Sequence, residues 1–325
     1  MSNLELPVVD LDAQRAKVAT DLRVACERDG FFYVSNHGVS ESLQTELEVR
    51  ARAFFARPLE EKMAIAMDRG GRAWRGYFPV GGELTSGVPD SKEGIYFGTE
   101  LALEDPRVQA CLPLHGPNLF PAEGGFREAV LSYMRAMTEL GHRLMAGIAE
   151  SLGLEAREVS ASLLRDPLTL FRIFNYPAEP AETPRWGVGE HTDYGLLTIL
   201  KQSDESGLQV RTARGWIEAP PLPGTFLCNI GDMLECMTYG RYRSTPHRVK
   251  NTSARDRLSL PFFFDPSFDA DVRPLVPRAS LEETTRWDGR SVFDFRGTYG
   301  EYLLDKVSKV FPALATSQLR REGAP

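Results

Sequence analysis

Cysteine is scarce in this chain: four thiols, at positions 26, 111, 228 and 236, stand in 325 residues, and no two form a C-x-x-C pair. With no secretory apolar segment at the N-terminus they read as reduced thiols, so a disulfide framework is excluded and a cytoplasmic setting is expected. No run approaches 18 consecutive apolar residues, which leaves no candidate for a membrane-spanning helix. Basic residues do not predominate either. Against 38 Lys and Arg there are 45 Asp and Glu, a formal charge of -7, which argues against the basic footprint needed for duplex nucleic acid. A small molecule is therefore the expected partner, with no nucleic acid and no membrane. No Pro/Gly/Ser-rich linker or charge block divides the sequence, so residues 1–325 read as a single domain.

Histidine is equally rare, with five copies at 37, 115, 142, 191 and 247. His191 and Asp193 are spaced i, i+2 in G-E-H-T-D-Y, and His247 follows 56 residues later in P-H-R-V. Residues i and i+2 of a strand point to one side, so this imidazole and carboxylate can converge on an ion if the segment opens or flanks a strand. The apolar run Leu196–Leu200 places a strand nearby. His247 must arrive from elsewhere in the fold, as strands facing one another across a barrel or sandwich interior allow. Two imidazoles and one carboxylate hold a divalent metal on one face and leave the other open, which suits non-haem iron and equally zinc. His37, in the turn S-N-H-G, and His142, beside an apolar helix stripe, read as structural. His115, in P-L-H-G-P, is an alternative ligand or substrate contact.

Arg257-Leu258-Ser259 lies ten residues after His247 and opens the apolar run Leu260–Phe264. The same two-residue period puts guanidinium and hydroxyl on one strand face, a fork of donors plus one more that suits a carboxylate. A zinc hydrolase needs no such anchor, whereas an iron oxygenase using a dicarboxylate cosubstrate does.

Taken together, H-T-D at 191–193, G-D-M-L-E-C-M-T at 231–238 running on to S-T-P-H-R-V at 244–249, and R-L-S at 257–259 resemble the 2-oxoglutarate- and Fe(II)-dependent oxygenases of the isopenicillin N synthase-like superfamily. The likeness continues in L-P-V-V-D-L at 6–11, D-G-F-F-Y at 29–33, N-H-G-V at 36–39 and F-F-A-R-P-L-E-E-K at 54–62. R-G-Y at 75–77 and G-E-L-T at 82–85 are similar to bacterial and fungal members, the ethylene-forming enzyme among them. The resemblance implies that His191, Asp193 and His247 hold Fe(II), and that Arg257 and Ser259, helped by Tyr176, bind the far carboxylate of 2-oxoglutarate. It implies O2 as the third reactant and hydroxylation of a small molecule coupled to oxidative decarboxylation. Desaturation, ring closure or ethylene formation by the same iron, and a metal-binding jelly roll without turnover, are the alternatives. Where members commonly carry N-Y-Y-P, this chain has Phe174, Asn175 and Tyr176 before Pro177, a departure that removes the usual amide contact.

The expected fold is mostly β with flanking helices, a double-stranded β-helix (jelly-roll) core with an N-terminal helical lobe and one long central helix. Residues 1–125 form the lobe and pocket loops, 126–155 the long support helix, 165–270 the jelly-roll core with the metal site, and 271–325 a C-terminal strand and helices. The patterns predict an edge strand over 4–11, helices over Asp12–Arg28, Ser40–Phe55 and Phe126–Leu152, and strands at Phe31–Val34, Leu168–Tyr176, Leu196–Leu200, Leu208–Val210, Trp216–Glu218, Thr225–Ile230 and Arg257–Phe264. Asp265-Pro266 is expected to end the last strand, and G-D-M at 231–233 to form a turn. The Gly- and Pro-rich stretch Asp68–Phe120 is expected to be irregular and to wall the pocket. Arg172, Glu83, Thr85, Lys92, Tyr96, Phe97 and Phe264 are the candidate pocket residues, with Glu93 a further polar group to watch. A turn and helix after Ser291 are expected over the barrel mouth, and a frayed end beyond Pro312.

Overall fold

In the computed structural model, residues 6–85, 87–122, 124–178, 186–250, 255–278, 293 and 295–310 are described. The expected frayed end beyond Pro312 and the start of the tail at Ser291 lie outside them. Strand β1 (Val8–Asp10) runs parallel beside β2 (Phe31–Ser35), with helix α1 (Arg15–Arg28) between them. Ser40 caps α2 (Glu41–Phe55), its hydroxyl accepting the Leu43 N–H and so satisfying a donor the helix itself cannot. Pro58 then starts the short α3 (Leu59–Lys62), its missing N–H costing nothing at that end.

The stretch expected to be irregular holds more structure than its glycines suggest. It contributes β3 (Gly76–Phe78) and β6 (Glu93–Gly98) to the main sheet, with the hairpin β4 (Leu84–Thr85) and β5 (Val88–Pro89) between them and α4 (Pro106–Gln109) after them. Both sheet strands are buried throughout, so they show no alternation of apolar and polar residues for a reader to detect.

Helix α5 (Phe126–Ser151) matches the expected span almost to the residue. Phe126, Val130, Met137, Leu144 and Ile148 form its buried stripe, and Gly141 leaves room for the Phe264 ring against its backbone. Helix α6 (Ala156–Leu163), not foreseen from the sequence, packs beside it. Then come β7 (Pro167–Tyr176), β8 (Trp186–His191), β9 (Leu197–Gln202), β10 (Leu208–Thr212), β11 (Gly215–Glu218) and β12 (Phe226–Ile230). The expected turn at G-D-M is instead a helix start, with Gly231 preceding α7 (Asp232–Met237). Strands β13 (His247–Lys250) and β14 (Arg257–Ser267) and helix α8 (Tyr299–Val310) complete the order.

The main sheet has the order β1-β2-β12-β9-β14-β7-β6-β3 and the smaller one β11-β10-β13-β8. They enclose a cavity between them, the arrangement of a jelly roll. Asp265-Pro266 does not end β14. The strand runs to Ser267 with a register irregularity at the proline, which is where a sheet tolerates a residue lacking its N–H. None of the helices in the described residues is long and apolar enough to cross a membrane.

Candidate active site

Between the two sheets lies a cavity of about 710 Å³, and His191, Asp193 and His247 meet in its wall. The antiparallel pairing of β8 with β13 sets His191 directly opposite His247, with ring centroids 4.2 Å apart. Asp193 lies two residues past the end of β8, its Oδ1 3.9 Å from Nε2 of His191 and 3.8 Å from Nε2 of His247. One donor atom from each residue lies within 4.8 Å of the other two, and among the described residues no other trio of His, Cys, Asp or Glu does so. The distance between residues 191 and 247 along the chain is thus closed by strand register.

Each ligand atom is aimed by a partner behind it. The Nδ1 atoms of His191 and His247 lie 2.8 Å and 3.2 Å from the carbonyl oxygens of Gly189 and Thr245, which fixes Nδ1 as the protonated nitrogen and leaves the Nε2 lone pairs inward. Asp193 Oδ2 accepts from the Thr198 hydroxyl at 2.5 Å and the Asn229 amide at 2.7 Å, so Oδ1 is the oxygen left for a cation. Thr198 and Asn229 face each other on β9 and β12. Burial alone would raise the Asp193 carboxyl, but the imidazoles of His247 and His191 and these two hydrogen bonds outweigh it and hold it below the usual carboxylate range. Burial, reinforced by the neighbouring His191, pushes His247 down to about 4 despite Asp193, so at neutral pH it is an uncharged donor. The set fits a divalent cation bound on one face.

On β14, Arg257 and Ser259 share a strand face, and Tyr176 is the cross-strand partner of Arg257. Ser259 and Tyr176 line the cavity. Arg257 is wholly buried, with its guanidinium 5.2 Å from the Tyr176 ring and its Nε donating to the Glu205 carbonyl at 3.1 Å. Its two terminal nitrogens make no close hydrogen bond within the described residues, the side chain of Tyr176 on the facing strand being the polar group they interact with. Burial lowers its pKa, yet a guanidinium remains charged at any physiological pH. A cation so placed, with donors to spare, fits the terminal carboxylate of a diacid.

The alternation of β7 and β14 decides which other candidates reach the cavity. Arg172, Phe174 and Tyr176 line it from β7, as do Ser259, Pro261 and Phe263 from β14. Phe264 therefore points the other way, its ring against His142 at 4.9 Å and against Gly141, which corrects its place among the pocket residues. Phe97 is corrected on the same ground, for it stacks on Phe120 and Phe171 in the core. Glu83, Thr85 and Lys92 do line the cavity. Tyr96 stands one layer behind, its hydroxyl donating to Glu83 and accepting from Arg172 Nη1 at 2.8 Å. Lys92 bridges Glu83 at 2.8 Å and Asp90, and Asp90 also accepts from Thr85 at 2.8 Å. Glu93 and Asn175 turn away, Glu93 accepting from Lys62, Tyr77 and Asn175. His115 packs on Phe268 at 5.1 Å and is no part of the site.

Helix α8 adds Lys306, Lys309 and Val310 to the cavity mouth. A helix over the barrel mouth was expected here, but its residues Lys306, Lys309 and Val310 were not singled out from sequence, nor was the supporting pair Thr198 and Asn229, although a lone polar residue in the apolar strands L-T-I-L and L-C-N-I is a detectable signal.

A jelly roll with two imidazoles and a carboxylate in its cavity, and a buried arginine on a strand that also lines that cavity, is the arrangement of a non-haem metal protein. Residues 6–123 match the family described as non-haem dioxygenase in morphine synthesis N-terminal, and residues 167–266 match the 2OG-Fe(II) oxygenase superfamily. The chain is 45% identical to a probable iron/ascorbate oxidoreductase of Dictyostelium discoideum across 97% of each chain. It is 36% identical to a homoarginine-6-hydroxylase of Arabidopsis thaliana, with 94% of this chain and 97% of that one covered. The crystal structure of a full-length Neurospora crassa protein in complex with alpha-KG and thymine superposes with a TM-score of 0.77 at 25% identity, over 94% of this chain and 97% of the other. The chain belongs to the 2-oxoglutarate/Fe(II) oxygenase superfamily, whose cofactors are Fe(II), 2-oxoglutarate and O2.

Proposed function

We propose that this chain is a dioxygenase that couples oxidative decarboxylation of 2-oxoglutarate to hydroxylation of a small polar metabolite. The observation that carries this reading is the wholly buried Arg257, its terminal nitrogens making no close hydrogen bond, beside the cavity that holds the His-Asp-His cluster. His191, Asp193 and His247 are its iron ligands in this reading, through both Nε2 atoms and Asp193 Oδ1. When bound, Fe(II) would supply the site at which O2, the oxidant, gives one oxygen atom to 2-oxoglutarate, released as succinate and carbon dioxide, and the other to the substrate.

The chain's own part is placement. Arg257 and Ser259 receive the far carboxylate, and Tyr176, whose phenol burial keeps protonated, offers a further donor. Phe31 packs edge-on against His247 at 5.3 Å, and Phe174 and Phe263 complete an apolar flank that keeps water from the reacting face. The homoarginine-6-hydroxylase among the relatives and the thymine in the Neurospora crassa complex point to compounds that are small and polar, which supports a substrate of that size.

Anaerobic addition of Fe(II) and then 2-oxoglutarate should produce a weak visible charge-transfer band, and air should then release succinate. His191→Ala and Asp193→Ala should each abolish iron-dependent turnover. A wild-type chain that binds Fe(II) but never decarboxylates 2-oxoglutarate would favour the binding-protein alternative and end this reading.

A further inference from the structure

Granted the three iron ligands of the reading above, the backbone that carries Asp193 is held by the start of helix α7. The Asp232 N–H donates to the Asp193 carbonyl at 2.8 Å, and the Gly231 N–H to that of Leu196 at 3.1 Å. Between them the Met233 N–H donates to the carbonyls of Tyr194 at 3.2 Å and Gly195 at 3.0 Å. The first N–H groups of a helix have no partner inside it, and here they grip the segment that delivers the carboxylate ligand. The contact is close enough to need glycine on both sides. A Cβ on Gly231 would overlap the Gly195 carbonyl, and one on Gly195 would overlap the Asp265 carboxylate.

The buried side chain of Asp232 ties this joint to two other elements. Its Oδ1 accepts from the hydroxyl of Ser244, three residues before His247, at 2.8 Å, and its Oδ2 from the Tyr302 hydroxyl of α8 at 3.1 Å. Three residues earlier on α8, Tyr299 donates to Asp265 Oδ2 at 2.6 Å, while Asp265 Oδ1 accepts the Leu196 N–H at 3.3 Å. Residues three apart on a helix are neighbours on its surface, so two adjacent phenols each end on a buried carboxylate whose residue is bonded to the 193–196 segment.

We infer that Tyr302, seconded by Tyr299, is a positioning residue for the metal cluster, acting through Asp232 on both ligand-bearing segments. A buried carboxylate that loses a donor must shift to find another. A shift of Asp232 moves the N–H bonded to Asp193 and loosens the Ser244 bond that steadies the approach to His247. Thr198 and Asn229 aim the Asp193 carboxylate, whereas these bonds set the backbone from which it projects. Helix α8 thus helps hold a metal that none of its residues ligates.

The test is the Fe(II) affinity of the full chain, measured anaerobically by competition with a fluorescent chelator. Tyr302→Phe should weaken Fe(II) about three- to tenfold, less than the roughly 10–100-fold that follows loss of a group bonded directly to a ligand. Tyr299→Phe should act in the same direction. Tyr77→Phe is the control, for it removes another buried phenol from a buried carboxylate, Glu93 at 2.6 Å, away from the cavity. It should lower the denaturant midpoint as the α8 variants do, yet leave Fe(II) affinity within about twofold. At saturating Fe(II) all three variants should bind 2-oxoglutarate within about twofold of the wild type, since Arg257 and Ser259 receive its far carboxylate. If one α8 variant fails to fold, the other decides against Tyr77→Phe. Unchanged Fe(II) affinity in the α8 variants, an equal loss in Tyr77→Phe, or a loss of 2-oxoglutarate affinity as large as that of iron would each overturn the inference. A wild-type chain that binds no Fe(II) would instead count against the ligand assignment on which it rests.

Discussion

Arg257 and Phe263 show how much one residue's parity decides. Hydrogen bonds to a charged group contribute about 1.5–3 kcal/mol, so Arg257→Met should raise the 2-oxoglutarate requirement by one to two orders of magnitude while Fe(II) affinity stays unchanged. Titrating the cosubstrate at fixed Fe(II) checks this, and an unchanged requirement would remove Arg257 from the site. The same strand gives a contrast between neighbours. Phe264→Ala empties a fully buried position against α5 and should cost about 3–5 kcal/mol in chemical denaturation with the site's geometry otherwise kept. Phe263→Ala removes the ring that packs on the Arg172 guanidinium and should act on substrate KM, with a stability cost nearer about 1 kcal/mol. The parity was legible: once Ser259 lines the cavity, so must residue 263, four further along the same strand face. Hydrophobicity alone cannot distinguish two adjacent phenylalanines, and it favoured the wrong one.

At the scale of elements, α8 is fastened to the metal-site loop through a buried acid. Asp265 on β14 accepts from the Tyr299 hydroxyl at 2.6 Å and from the Leu196 N–H at 3.3 Å, tying the helix start to the segment that follows Asp193. Burial, only partly offset by those two donors, lifts the Asp265 carboxyl to about 7 from an unfolded value of about 3.9. Between those values the folded chain holds a proton that the unfolded chain has released, so this group's contribution to stability is fully present below about pH 4 and is lost as pH rises through about 7. In metal-free protein, Asp265→Asn should abolish that part of the slope; denaturant midpoints measured from about pH 4 to 8 would show it. An identical slope in the variant would refute the assignment. No sequence pattern announced this link, because Asp265-Pro266 reads as a strand end and Tyr299 as one more helix residue. Elements exposed on one face, such as α5, were readable from periodicity, whereas β3 and β6, covered on both faces, were not.

For the molecule as a whole, the site exists only when the two sheets close on each other. His191 and His247 come from the smaller sheet, while the groups that orient Asp193 and the Arg257 anchor come from the larger one. The types of these residues were legible in sequence, but the β8–β13 register that brings the imidazoles together was not, since it passes through two local irregularities. A site shared between two layers couples occupancy to global stability. A ligand at a hundred times its dissociation constant stabilises the folded state by about 2.7 kcal/mol. At roughly 2–4 °C per kcal/mol for chains somewhat shorter than this one, Fe(II) should raise Tm by several degrees and 2-oxoglutarate should add a second increment. Anaerobic scanning calorimetry of three proteins separates the contributions. The wild type should show both increments, Arg257→Met should keep the iron increment and lose much of the second, and His247→Ala should lose both, because the cosubstrate is held through the metal as well as the arginine. Retention of the second increment in His247→Ala would mean that 2-oxoglutarate binds away from the His-Asp-His cluster, and the two halves of the proposed site would then have to be treated as separate.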